Sequence, residues 1–211
     1  MKNSFDFSAK EKYYNLSPKQ SKARFDLLNY AINHPGCITK KDAISVIACA
    51  DHAEAADILQ FFIENGMVAL NADGDLERLY PLSCVETPHK VVLQDGRSYF
   101  AMCAIDALGA ASTFGMQARI FSFCKDTNES VEAIVNKDGI VEITPSDLYV
   151  SYYDIWSSKE DNFNFCCMMN FFRYKESVDK YLKSFENDDD MYLWNVDDAF
   201  KAATEIFRVC P

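Results

Sequence analysis

Cys103 and Asp106 stand three residues apart in the segment Phe100-Ala101-Met102-Cys103-Ala104-Ile105-Asp106-Ala107-Leu108. Read as a helix, that spacing puts a thiol and a carboxyl group on one face. The neighbours are apolar, and an aspartate is almost never fully buried without a partner. Desolvation raises the pKa of such a carboxyl group, toward the range where it holds and delivers a proton near neutral pH. It can also take the proton of the adjacent thiol, leaving the thiolate that soft metals and electrophiles require. The plainer alternative is a helix cysteine with an aspartate that caps a nearby backbone group, since perturbed pairs also arise for structural reasons. More thiols lie in Phe165-Cys166-Cys167-Met168-Met169. The apolar run over 165–172 predicts a central β-strand. Adjacent residues of a strand face opposite sides, so only one of the two cysteines could join a given site. Taken alone, that segment reads more readily as two small core residues in a sheet than as part of a site.

The chain has eight cysteines and three dispersed histidines (His34, His52, His89), with no C-x-x-C, so a zinc ribbon or finger is excluded. At 211 residues it buries a full core without disulfide staples. Cys37, Cys49, Cys84 and Cys210 are expected to be small buried hydrophobes, and Cys124, at the end of ARIFSFC, a structural residue. The net charge of -11, with 32 acidic residues against 21 basic ones, disfavours a nucleic-acid partner. No apolar run reaches the roughly 18 residues of a membrane span, and the N-terminal stretch MKNSFDFSAKEKYYNL lacks the apolar centre of a signal peptide. A cytoplasmic location with no membrane partner is expected.

The elements that must position these groups follow from local pattern. Ser17-Pro18 opens a helix carrying Phe25, Leu27, Leu28, Ala31 and Ile32, which Pro35-Gly36 ends. Thr39 and Asp51 cap two more, the third running from about His52 to Asn65. Met67–Leu70 and Leu76–Tyr80 read as a hairpin, completing a winged-helix-like unit over roughly residues 18–82. Its third helix bears acidic residues and no Lys or Arg, which suits a packing module better than a reader of DNA. Beyond it, the pattern predicts a hairpin at 90–100, a buried helix over FAMCAIDALGAAS, and strands at 118–123, 131–135, 140–143 and 148–153. Two helices, at 176–185 and 196–209, then flank an acidic loop over 186–190. The fold class is α+β, with an N-terminal winged-helix-like unit over 1–82 and a mixed sheet-and-helix catalytic domain over 83–211.

The ordered motifs go further than any one pair. Thr87-Pro88-His89, Asp95-Gly96-Arg97 and Cys103-Ala104-Ile105-Asp106-Ala107-Leu108 follow one another within Leu79–Leu108. Gly115-x-x-Ala118-Arg119, the strand ending in Cys124, Phe165-Cys166-Cys167 with Phe171-Phe172, and Val196-Asp197-Asp198-Ala199-Phe200 come next. In types and order this set resembles the organomercurial (alkylmercury) lyases over most of residues 79–205. The resemblance implies that Cys103, Asp106 and Cys166 are the catalytic residues and also the ligands of substrate and product mercury, with Cys124 structural and Cys167 a variable neighbour. It implies protonolysis of a carbon–mercury bond with no organic cofactor, organomercurial small molecules as substrates, and cellular thiols or a mercuric reductase as acceptors of Hg(II). Soft Hg(II) prefers thiolate sulfur, which accounts for the paired cysteines. The sequence departs from the family where Met168-Met169-Asn170 replace a His-containing segment, and where Gly109-Ala110-Ala111-Ser112-Thr113-Phe114 replace a Phe/Pro-rich loop. The competing readings are a non-catalytic homologue that sequesters a soft ion and a metal-responsive winged-helix regulator, with a zinc hydrolase more distant.

Overall fold

The computed structural model describes residues 16–47, 51–153, 163–185 and 191–207. Helix α1 (Pro18–Asn33) starts at a reciprocal cap: the Ser17 hydroxyl accepts the Gln20 amide N–H, and the Gln20 side chain accepts that of Ser17. Helix α2 (Lys40–Ile47) packs on α1, and α3 (His52–Glu64), capped by Asp51, packs on α2 with Ala55, Leu59 and Phe62 inward. Strands β1 (Val68–Leu70) and β2 (Leu76–Leu79) form the expected hairpin. Its turn uses Gly74 at a φ of 83°, a left-handed conformation that glycine adopts without steric cost.

That hairpin continues into the rest of the molecule. β2 pairs with β3 (Leu82–Ser83), and β3 pairs with β5 (Ser98–Ala101), which in turn pairs with β4 (His89–Leu93). The antiparallel sheet extends through β6 (Ala118–Phe123), β7 (Ser130–Asn136) and β8 (Gly139–Thr144), giving eight strands in the order β1-β2-β3-β5-β4-β6-β7-β8. A second antiparallel sheet has the order β10-β9-β11, from β9 (Tyr149–Tyr153), β10 (Phe171–Phe172) and β11 (Met191–Asn195).

Helix α4 (Ala104–Leu108) lies where the two sheets meet. It contacts β4, β5 and β6 of the large sheet, β9 of the small one, and helix α7 (Val196–Ile206), and each of its residues is buried. Helix α5 (Ala110–Phe114) follows directly, and α6 (Lys175–Leu182) covers the small sheet. The architecture is therefore mixed α+β.

Several expectations are corrected. The run 165–172 is not a strand: residues 163–168 wind into a 3₁₀ turn, and only Phe171–Phe172 pair, with β9. An unbroken apolar run carries no period that separates a strand from a buried turn. Here Ser151 of β9 decides the matter, since its hydroxyl donates to the Met168 carbonyl at 2.6 Å and accepts the Asn170 N–H at 3.0 Å. The buried helix predicted over FAMCAIDALGAAS is shorter than expected, because β5 runs to Ala101 and Cys103 is the N-cap of α4. Cys37 is exposed, and Cys84 is half-buried against the edge of the core, so neither is the fully buried residue expected. Strand β11 had no counterpart in the sequence reading, whereas Cys49, Cys210 and the acidic stretch 186–190 lie outside the described residues.

Gly109 joins α4 to α5 beneath Phe207, at the end of α7. A Cβ there would lie 2.4 Å from Phe207 Cδ2 and 2.9 Å from Phe207 Cβ, so the close approach requires glycine. Gly109→Ala is expected to cost about 1–3 kcal/mol through overpacking. Urea denaturation should show a lowered midpoint with an unchanged slope.

Candidate active site

The Cys103 segment is built by a strand that ends and a helix that begins. Thr87 Oγ1 donates to the Ala101 carbonyl at 2.6 Å, closing off β5 two residues before the cysteine. Cys103 then has extended backbone and caps α4: its Sγ accepts the Asp106 amide N–H at 3.4 Å. The Cys103 backbone N–H in turn supports the Asp106 carboxylate. This is the reciprocal logic of a capping box, with a thiol in place of the usual hydroxyl. The three-residue spacing thus does what both sequence readings proposed: it caps a helix, and it holds a thiol against a carboxyl group.

Cys166 comes from the 3₁₀ turn, which is held against the same place by Met169. The Met169 N–H donates to the Cys166 carbonyl at 3.1 Å, and the Met169 carbonyl accepts the Ala104 N–H at 3.1 Å. Cys166 Sγ lies 3.9 Å from Asp106 Oδ2 and 3.5 Å from the Tyr80 hydroxyl. One ligand atom each from Cys103, Asp106 and Cys166 fall within 4.8 Å of one another. Cys103 and Asp106 are buried while Cys166 is half-buried, so the second thiol is the one nearest solvent.

Cys167 is exposed and outside this cluster, so one cysteine of the pair joins the site, as the sequence reading expects. The reason differs, since the two lie on a tight helical turn and not on a strand. Cys124 is buried at the end of β6, where its Sγ accepts backbone N–H groups from Arg173 at 3.3 Å and Thr127 at 3.5 Å. His89 is likewise a packing group: its Nδ1 lies 2.8 Å from Ser122 Oγ, and burial, with Lys125 nearby, lowers its pKa to about 4.

Burial dominates the electrostatics. It raises the Asp106 pKa to about 7, against the opposing hydrogen bonds from Cys103 and Cys166 and the charge of Arg24. Burial also raises the Cys103 thiol well above its ordinary range, and Cys166 and Asp106 push it further. Cys103 is therefore a neutral thiol at rest, beside a carboxyl group that exchanges its proton near neutrality. The Tyr80 phenol is raised by burial, then by Cys166 and Asp106, and stays protonated.

Sequence reasoning did not single out Tyr80 or Arg24. Arg24 is buried on α1, and its Nη2 donates to the Tyr80 carbonyl at 3.0 Å. The signal was available, because Arg24 precedes Leu27, Leu28 and Ala31 at inward-facing helical spacing. For Tyr80, nothing in local pattern predicts contact with a residue so distant in the chain.

Two thiols and a high-pKa carboxyl group thus converge between two sheets of an α+β fold, a donor set of the kind soft metals favour, beside an acid suited to exchanging a proton. The family model described as alkylmercury lyase matches residues 82–208, more than half of the chain, and the chain belongs to that family. An alkylmercury lyase of Pseudomonas putida is 32% identical over 91 residues, which cover 43% of this chain and 42% of that protein. One from Staphylococcus epidermidis is 31% identical over 103 residues, covering 49% and 47% of the two chains. The chain thus spans about half the length of the curated relatives it matches. The crystal structure of the mercury-bound form of MerB2 shares the fold, with a TM-score of 0.71 at 17% identity over 95% of this chain and 96% of that one.

A carboxyl group whose pKa is raised on folding favours the folded state below its unfolded pKa, and that advantage is lost as pH rises through about 7. Stability measured by urea denaturation should therefore fall between pH 4 and 7 more steeply in the native chain than in an Asp106→Asn variant. The two curves should diverge by on the order of a few kcal/mol. Parallel curves would show that Asp106 is ionised with no penalty.

Proposed function

We propose that the protein is an organomercurial lyase, in which Cys103, Asp106 and Cys166 carry out protonolysis of a carbon–mercury bond. The observation that carries this reading is the convergence of two thiols on one buried carboxyl group. Capture of R–Hg⁺ replaces the Cys103 thiol proton with mercury. A metal-bound thiol is deprotonated outright, which overcomes the burial that keeps Cys103 neutral at rest. Asp106, at hydrogen-bond contact with both thiols and with a pKa of about 7, takes the proton. The Cys166 thiolate then binds mercury as a second soft ligand and pushes electron density toward carbon. The carbon–mercury bond breaks with its electron pair on carbon, which accepts the proton from Asp106 and leaves as hydrocarbon. Of the two thiol protons, one ends on carbon and the other leaves with the anion displaced from mercury. Hg(II) remains on two sulfurs. Its removal falls to small cellular thiols or a mercuric reductase, which approach from the Cys166 side, where the site is nearest solvent. The chemistry needs no organic cofactor, because the metal arrives with the substrate.

A second reading, retention of a soft ion without turnover, draws on the methionines that follow the cysteine pair. Gas chromatography of the headspace over protein, methylmercury and excess small thiol separates the two. Methane over several turnovers is expected from the native chain, whereas Cys103→Ser and Cys166→Ser should each lose turnover and Cys167→Ser should keep it. Mercury bound at one ion per chain with no methane would move the assignment to retention. An inactive Cys167→Ser beside an active Cys166→Ser would reverse the roles of the paired cysteines.

A further inference from the structure

Among the described residues, the Met169 thioether is a soft donor beside the cluster that the mechanism above leaves unused. Met169 is buried, and its Sδ lies 3.9 Å from Cys103 Sγ, accepting the thiol proton. Its position is over-determined, since its backbone N–H is bonded to the Cys166 carbonyl and its carbonyl to the Ala104 N–H. The residue is thus tied to both cysteine segments, and its sulfur sits on the side of Cys103 Sγ from which a proton, or a metal replacing that proton, is held.

The separation matches coordination. With bonds of about 2.3 Å, the zinc–thiolate value, two sulfurs on one ion stand roughly 3.8 Å apart in tetrahedral geometry and about 4.0 Å in trigonal geometry, and a larger soft ion spreads them somewhat further. A sulfur pair at 3.9 Å can therefore share an ion with little rearrangement. Thioether sulfur is a soft ligand, suited to the same ions as thiolate. We propose that Met169 is a third sulfur donor to the soft metal ion held by Cys103 and Cys166, with Asp106 supplying the oxygen. It is a specificity-determining residue, favouring the softest ions and slowing the release of Hg(II) to thiols. This rests on the reading of the cysteine pair as a mercury site.

The test loads the full-length chain with one equivalent of inorganic Hg(II) and measures X-ray absorption at the mercury edge, so its outcome does not depend on cleavage of any carbon–mercury bond. Native protein should show three sulfur neighbours and Met169→Leu two, and a competing dithiol should strip mercury several-fold faster from the variant. Leucine is a near-isosteric replacement for methionine in a core. Selenomethionine-labelled native protein gives a readout that needs no substitution, because one sulfur neighbour should be replaced by selenium at bonding distance. Two sulfurs in both proteins, or no mercury–selenium neighbour in the labelled one, would overturn the proposal and leave the lyase reading standing. Failure of the native chain to retain any mercury would overturn both.

Discussion

Asp106 is a carboxyl group taken out of water and solvated instead by groups the fold brings to it. Placing an unpaired carboxylate in such a position costs several kcal/mol, so the surrounding structure either supplies donors or forces the group to hold its proton. Here it does some of each. Two thiols, the Cys103 backbone N–H and the field of Arg24 draw the pKa down, burial draws it up, and the balance lies at about 7. The elements around the site answer to that balance. α4 is fully buried at the junction of the two sheets, β5 ends where the cap must begin, and the 3₁₀ turn delivers its thiol to the carboxyl oxygen.

Two backbone hydrogen bonds from Met169 hold the arrangement together. One of them, from the Ala104 N–H to the Met169 carbonyl, joins segments far apart in the chain, the other lies within the turn, and together they fix how far apart the two cysteine backbones stand. A dithiol site must avoid two extremes. Sulfurs in van der Waals contact invite oxidation to a disulfide, and sulfurs set too far apart cannot share an ion. Here the ligand atoms of the cluster lie within 4.8 Å of one another, close enough to share an ion.

Much of this was legible in the sequence, for reasons that can be named. Helices α1 to α3 follow from caps and amphipathic spacing, and β4 to β8 from alternation between turn residues. The Cys103–Asp106 contact follows from three-residue spacing, although the pair proved to sit at the helix start and not within it. The apolar run at 165–172 resembles a strand in sequence because burial erases the period that separates strand from turn. The role of Ser151 in bending that run is a long-range contact with no local trace. Tyr80 escaped notice for the same reason, and Arg24 because a lone cation on an apolar helix face is easily read as a solvated end of the stripe.

Strand β3 is two residues long, yet it splices the hairpin behind the three helices into the sheet that leads to Cys103. Just before it stands Tyr80, with its hydroxyl on Cys166 and its carbonyl on Arg24 of α1. A gene fragment starting at residue 82 would encode the segment matched by the family model, but neither the phenol that contacts Cys166 nor the guanidinium whose charge acts on the acid. Exchange of the helical unit between related genes is therefore not neutral. A crossover falling between Arg24 and Tyr80 inherits the carboxyl group without the arginine field that draws its pKa down, so the two halves of such a chimaera must readjust together before the acid again titrates near neutrality.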